Sequence, residues 1–394
     1  MKTATSIIEI EEFTLSSGKR LEKISVAFET LGKLSEAGDN AILVFHALSG
    51  SAHIAGENTE FAKDCAFWTE ENFTGWWDGF VGNGKLIDSG KNFIVCMNIL
   101  GGCYGTTGPS SPNPKTGVPY GSLFPEISIE DMARLQERVL KRLGVEKLKA
   151  VIGSSMGGYI ALEFCMLFGE RVEKAVIIGS AASTSSLNKL HNLEQIIAIE
   201  NDPDFGNGDY YGRQRPDKGL MLARMIGGKR YVDIDTINER AKKEVILPGD
   251  YIYGYKLQHH VESYIFHQGK NFVKRFDANS YLLIVKAMQS FDLAGKYGSG
   301  SLENAFSRMP KGIEFLIVSI DSDVCYFTEE QDALVNAFQA NGIKCAFELV
   351  HSVKGHDSFL LEPERYYFLG NFIDSGKGGK AVILQLQKEK PSEK

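Results

Sequence analysis

Apolar and polar positions along this chain fall into two recurring arrangements. Short unbroken runs of branched apolar side chains, AILVF at Ala41–Phe45 and FIVCM at Phe93–Met97, lack any polar alternation, which is the pattern of strands buried on both faces. The same character returns at 151–152 leading into Gly153, at 175–178, at 315–318 and at 346–350. Between several of these runs the apolar residues recur at helical spacing instead. Over 128–143, Ile129, Met132, Leu135, Val139 and Leu140 would share one face, Ser128 and Asp131 make an S-x-x-D capping box, and Gly144 supplies the stop. Further helices are expected after Ser155, over 329–341 with Gly342 ending it, and after Pro363. Alternation of strand and helix predicts an α/β fold with a mainly parallel sheet covered on both faces.

From 183 to 309 the pattern changes to helical segments, aromatic residues and polar loops such as NDPDFGNGDYYGRQRP, with no obvious buried strand. This predicts a helical lid inserted at 183–309 into a core made of 1–182 and 310–375. The stretch 376–394, rich in Gly and Lys apart from AVILQL, is expected to be a flexible tail.

Charge and cysteine content exclude several classes. With 43 basic and 50 acidic residues the net charge is −7, so no surplus of cations is available for a phosphate backbone and nucleic acid is not an expected partner. No run approaches the ~18 apolar residues of a membrane span, and MKTATSIIEIEEFTL has acidic residues where a signal peptide needs an apolar centre. A soluble cytoplasmic protein is expected. The six cysteines are scattered without a C-x-x-C pair, which reads as reduced thiols and no metal site.

The stretch VIGSSMGG sets Gly153, Ser155 and Gly157 in G-x-S-x-G spacing, directly after a predicted strand and before a predicted helix. That is the setting of the nucleophile elbow of the α/β-hydrolase fold, whose turn is so sharp that the flanking positions must be small. A serine hydroxyl needs an imidazole to take its proton and a carboxylate to orient the imidazole, here in the chain order Ser, acid, His. His356, in the loop VKGHDSF after the last predicted strand, suits the base, and His351 sits at the strand end itself. For the acid, FLIVSIDSDVCYF offers Asp321 and Asp323, of which Asp323 is preferred by position. The oxyanion donors would be the backbone N–H groups of Met156, after the nucleophile, and of Leu48, in the HALSG loop after the first buried run. His46 and His53 read as residues that shape that loop.

Read together and in order, HALSG, GWWDGFVG, NILGGCYGTTGPSSPNPKTGVPYG, GSSMGG, GDYY, LARMIGG, VESYI, FVKRFDANSYL and GHDSFLLEPE resemble the homoserine O-acetyltransferase family over nearly the whole chain. The resemblance implies acetyl-CoA as donor, L-homoserine as acceptor, a ping-pong reaction in methionine biosynthesis, no permanently bound cofactor, and a homodimer made through lid helices. It also implies that Arg224, Tyr231 and Asp357 hold the acceptor, a guanidinium fork suiting its carboxylate and an anion its ammonium group. The chain departs from the family's pattern where Val324-Cys325-Tyr326-Phe327-Thr328 replaces the usual Trp-Leu-Phe-Pro-Pro, where Ser154 stands for glycine, and where Ser358 stands for alanine. Succinyl instead of acetyl as donor, serine instead of homoserine as acceptor, and an esterase using water are the alternative readings.

Overall fold

The computed structural model of the chain describes residues 1–375 apart from 244–245, 247–250 and 253. Eight strands make one sheet: β1 (Ser6–Thr14), β2 (Arg20–Leu31), β3 (Ala41–Phe45), β4 (Phe93–Met97), β5 (Leu148–Ser154), β6 (Val172–Ile178), β7 (Glu314–Ile320) and β8 (Cys345–Val350), in the order β1-β2-β4-β3-β5-β6-β7-β8. All pairings from β4 to β8 are parallel, and β1 and β2 join antiparallel at one edge.

The apolar runs become central strands because both faces are covered. Ala41, Leu43 and Phe45 of β3 point into one core with α1 (Ile129–Arg142) and α2 (Met156–Phe168), while Ile42 and Val44 point into a second core with Trp77, Phe80, Tyr366 and Leu369. The capping box at Ser128 forms as its sequence suggests: Ser128 N–H donates to Asp131 Oδ2 at 2.9 Å and Asp131 N–H to Ser128 Oγ at 3.2 Å. The β1–β2 pair was not among the expected strands. In SIIEIEEFT only Ile10 and Phe13 are buried, and the intervening glutamates face solvent along the sheet edge, so no unbroken apolar run marks the strand.

Between β6 and β7 come α3 (Ser186–Glu200), α4 (Asp217–Gly228), α5 (Ile234–Ala241), α6 (His260–Arg275), α7 (Ala278–Gln289), α8 (Leu293–Gly298) and α9 (Leu302–Ser307). At the foot of this stretch the Thr184 N–H donates to Phe291 O at 3.1 Å and the Leu293 N–H to Ala182 O at 3.0 Å. Phe306 of α9 stacks on Phe338 of α10 (Thr328–Ala340) at 4.4 Å, so α9 packs back on the sheet layer and α3–α7 stand over it. After β8 follow the short helices α11 (Ser358–Leu361) and α12 (Phe368–Asp374); the helix expected from Pro363 begins as a 3-10 turn, Pro363–Tyr366. The expected tail at 376–394 lies outside the described residues. Among the described residues no helix is long and apolar enough to cross a membrane, and the six cysteines are unbridged.

Candidate active site

β5 ends at Ser154 and α2 begins at Met156, which leaves Ser155 alone in the turn with φ 54° and ψ −126°. A non-glycine residue there costs of order 1–3 kcal/mol and persists only where its surroundings hold it. Here the Ser155 N–H donates to Ile178 O at 3.0 Å, and its carbonyl accepts from Gly158 N–H at 2.9 Å and from Ser180 Oγ at 2.7 Å. The glycines are demanded by space. A Cβ on Gly153 would lie 2.1 Å from Gly157 O, one on Gly157 2.2 Å from Phe45 O, and one on Gly158 2.4 Å from Ser180 Cβ. Of the two adjacent serines, Ser154 is buried away, whereas Ser155 opens on a cavity of about 290 Å³.

His356 reaches the same cavity from the turn Gly355–Asp357 beyond β8, and Asp323 stands just past β7. Nδ1 of His356 meets Asp323 Oδ2 at 2.6 Å, with both groups buried. Asp323 is fixed in turn, since its Oδ1 accepts the N–H groups of Cys325 at 2.6 Å and Tyr326 at 3.0 Å. Burial by itself would lower the His356 pKa, but the Asp323 carboxylate overrides it and the pKa lies above its ordinary value. Asp321 is spent elsewhere, on His351 Nδ1 at 2.8 Å and the Ser352 N–H at 3.0 Å. Burial pulls His46 down to about 4, and its Nδ1 donates to Ala47 O at 2.7 Å inside the HALSG loop. His53 pairs with the buried Glu29 at 2.9 Å, away from Ser155.

Ser358, unexpected beside the family pattern, has a structural place. Its hydroxyl donates to Glu362 at 2.8 Å and accepts from the Tyr366 hydroxyl at 3.1 Å, which ties the turn carrying His356 to the layer behind it.

The opposite wall comes from the helices over the sheet. Arg224 of α4 lies across the rings of Tyr231 at 4.9 Å and Phe272 at 4.7 Å, with its guanidinium at the cavity. The Asp357 N–H donates to Tyr231 O at 2.8 Å, so the turn bearing His356 and the segment after α4 are joined by backbone. Burial raises the Asp357 pKa, and His356 and Arg224 oppose that rise. Leu48 lines the cavity, and the Met156 N–H belongs to the first turn of α2, where helix donors have no intrahelical partner.

Several lining groups were absent from the sequence reading. Asn188, His191, Asn192 and Gln195 of α3 form a polar stripe on the cavity, while Leu187, Leu190, Leu193 and Ile197 on its other face are 43–59% exposed. The i, i+3, i+4, i+7 spacing of the polar residues was available as a signal, but a polar stripe is normally read as the solvent face. Tyr326 tilts over His356 with ring centroids 5.4 Å apart and interacts with the Ser155 side chain. Arg230 and Arg275 complete the cavity's cations, the latter paired with Glu71 at 3.0 Å. Asp323, Cys325 and His356 also bring three metal-type donor atoms within 4.8 Å of one another. Two of these groups are committed to the Asp323–His356 hydrogen bond, and burial, with Asp323 beside it, holds the Cys325 thiol protonated, so the set does not fit a resident ion.

A family profile described as alpha/beta hydrolase fold matches residues 40–362. A homoserine O-acetyltransferase of Methanococcus vannielii is 43% identical over 363 residues, 92% of this chain and 71% of the relative. A homoserine O-succinyltransferase of Bordetella pertussis is 40% identical over 361 residues, 91% of this chain and 84% of the relative. Among solved structures, a homoserine O-acetyltransferase from Bacillus anthracis superposes with a TM-score of 0.84 at 26% identity, covering 96% of this chain and 99% of that one. Esterase E22 gives a TM-score of 0.84 at 25% identity, covering 95% and 100%.

Proposed function

Because this chain belongs to the homoserine O-acetyltransferase family of α/β-hydrolase-fold enzymes, we propose that it moves an acetyl group from acetyl-CoA to the hydroxyl of L-homoserine through an acetyl ester of Ser155. The observation that carries this reading is that Ser155, His356 and Asp357 from the ends of the sheet and Arg224 and Tyr231 from the helices over it line one cavity. A nucleophile with its base thus shares a chamber with a cation and an anion able to grip an amino acid.

In the first half-reaction Ser155 Oγ attacks the thioester carbonyl as His356 Nε2 takes its proton, and Asp323 holds the Nδ1–H and steadies the imidazolium. The N–H groups of Met156 and Leu48 receive the oxyanion. The C–S bond then breaks, and the imidazolium returns its proton to the departing thiol. In the second, the homoserine α-carboxylate lies on Arg224, kept in plane by Tyr231, and the ammonium group faces Asp357. His356 now takes the proton of the acceptor hydroxyl, whose oxygen attacks the acetyl ester, and the imidazolium returns that proton to Ser155 Oγ as the ester bond to the serine breaks. No bound cofactor enters either step.

On this reading α3–α7 form the lid that keeps water from the acyl-enzyme. The exposed stripe Leu187, Leu190, Leu193 and Ile197 of α3 is the face through which two copies would pair as a homodimer. The enzyme works in the cytoplasm, within methionine biosynthesis. Mass spectrometry after mixing with acetyl-CoA alone tests the core of the proposal: Ser155 should carry an acetyl group that homoserine removes. A label on Ser154 or on a cysteine overturns it.

The likeness to esterase E22 supports a second reading, with water as the acceptor. Thiol release from acetyl-CoA measured with and without homoserine separates the two, since an esterase gains nothing from homoserine.

A further inference from the structure

Tyr326 stands three residues past Asp323 and is fixed by it, since its N–H donates to Asp323 Oδ1 at 3.0 Å. Its buried ring lines the cavity beside Ser155, tilts over His356 with centroids 5.4 Å apart, and meets Tyr159 edge-on with centroids 5.9 Å apart. Its hydroxyl interacts on one side with the Ser155 side chain and on the other with the Tyr159 hydroxyl. Nothing in the proposed reaction uses it.

The protons behind Tyr326 can be assigned one by one. Of the two acceptors near the Thr184 hydroxyl, Met288 O at 2.5 Å is closer than the Tyr159 oxygen at 3.3 Å, so the Thr184 proton goes to Met288. The Tyr159 O–H reaches Ser183 O at 3.4 Å. That leaves the Tyr159 oxygen as an acceptor, on which the Tyr326 O–H rests. Burial lifts the Tyr326 pKa well above the ordinary tyrosine value, so the phenol keeps its proton and serves as a donor, not as a base. Turning that hydrogen about the C–O bond aims it at Ser155 Oγ without moving a heavy atom.

A free serine hydroxyl carries its own proton and needs no donor. Its oxygen gains negative charge when the bond from Oγ to the acyl carbon breaks, and a donor already in place stabilises charge that develops there. Resting on the acyl-transfer reading above, we infer that Tyr326 is a further catalytic residue, whose hydroxyl donates a hydrogen bond to Ser155 Oγ as the serine leaves its acetyl ester. The electron pair of the breaking C–O bond goes to Oγ, the proton comes from the His356 imidazolium, and Tyr326 keeps its own. The residue acts on the second half-reaction. Acylation, in which the thiol leaves, does not draw on it.

The test is Tyr326→Phe in the full chain. The family's usual pattern has phenylalanine at this place, so the ring without its hydroxyl suits the fold. In a ping-pong reaction kcat/KM for acetyl-CoA reads acylation and kcat/KM for homoserine reads release of the serine. The variant should lower kcat/KM for homoserine by about 10- to 30-fold and change kcat/KM for acetyl-CoA by less than about 3-fold, so that acetyl-Ser155 builds up in the steady state. A ring that only packs on His356 gives no such split: two unchanged constants, or an equal fall in both, overturn the inference. The lifetime of acetyl-Ser155 in buffer, followed by mass spectrometry with water as the acceptor, should lengthen by the same factor. That lifetime counts only molecules that have been acetylated, so a partly unfolded variant does not disturb it. An unchanged lifetime overturns the role of Tyr326 even if homoserine is not the acceptor, while a wild type that never carries acetyl on Ser155 defeats the inference and the acyl-transfer reading together.

Discussion

Ser155, Asp323 and His356 hang from the carboxyl ends of β5, β7 and β8, strands held in register by parallel neighbours, whereas Arg224, Tyr231 and Arg230 hang from a helix and the segment after it. On the sheet side each position is set by backbone hydrogen bonds and by gaps too small for a methyl group, as at Gly153 and Gly157. On the helix side the contacts are rings under a guanidinium, amide side chains and a polar stripe on α3. The first wall can hold reacting atoms within a few tenths of an ångström, and the second can change its side chains without disturbing the turn at Ser155. On the proposed reading the attacking and proton-moving groups therefore stand on the sheet side with Asp357, and the other two acceptor groups, Arg224 and Tyr231, on the helices over it.

That division breaks first at Ser155. Ser155→Ala should lower turnover by at least about 10⁴-fold with an unchanged melting temperature, and His356→Ala should come close to it, because triad losses are not additive. Residual acyl transfer within about 10-fold of wild type in either variant would move the chemistry off this wall.

Asp323→Asn should cost about 10³ to 10⁴-fold through a misplaced imidazole tautomer, against less than about 3-fold for Asp321→Asn, whose carboxylate meets His351 and the Ser352 N–H instead of His356. Acylation has a pH signature as well. Because the Asp323 carboxylate raises the His356 pKa, the neutral imidazole that acts as base accumulates only above a pH higher than the ordinary histidine value, and the rate falls as pH drops through it. In Asp323→Asn that acid limb should move to lower pH. A limb that stays in place means that another group titrates.

Arg224→Lys keeps the charge but loses the fork. The burst of thiol release on mixing with acetyl-CoA should persist while steady-state turnover with homoserine falls by about 10- to 1000-fold, or ~1.4 to 4 kcal/mol. An impaired burst would show that the helix side of the cavity also serves acylation, and the comparison of the two sides would fail there.

The smallest kinetic effect is expected outside the cavity. Leu190→Glu places a charge in the middle of the exposed apolar stripe of α3 and should give monomers by sedimentation, with kcat reduced by no more than about 5-fold. A dimer that survives Leu190→Glu lies on another face.

Legibility followed the same division. The glycine spacing around Ser155 and the apolar runs of β3 to β7 are local features, and each could be read from a few consecutive residues. The pairing at β1–β2 could not, because its buried positions are thinned by glutamates at a sheet edge. Nor did the periodicity of α3 say which face met solvent. Its apolar residues would ordinarily be assigned inward, and here they face out while Asn188, His191, Asn192 and Gln195 face in.

By itself the sequence determined the parallel sheet, the strained serine between β5 and α2, and the region that must carry the histidine, since short-range sterics and hydrophobic period act within a strand or a turn. The tertiary structure decided which of Asp321 and Asp323 meets His356, a choice made by a 2.6 Å contact across 33 residues of chain. It also decided that Arg224 and Arg230 line the same cavity as Ser155. Such placements depend on how layers pack, and packing energy comes from surfaces far apart in sequence that no local pattern records.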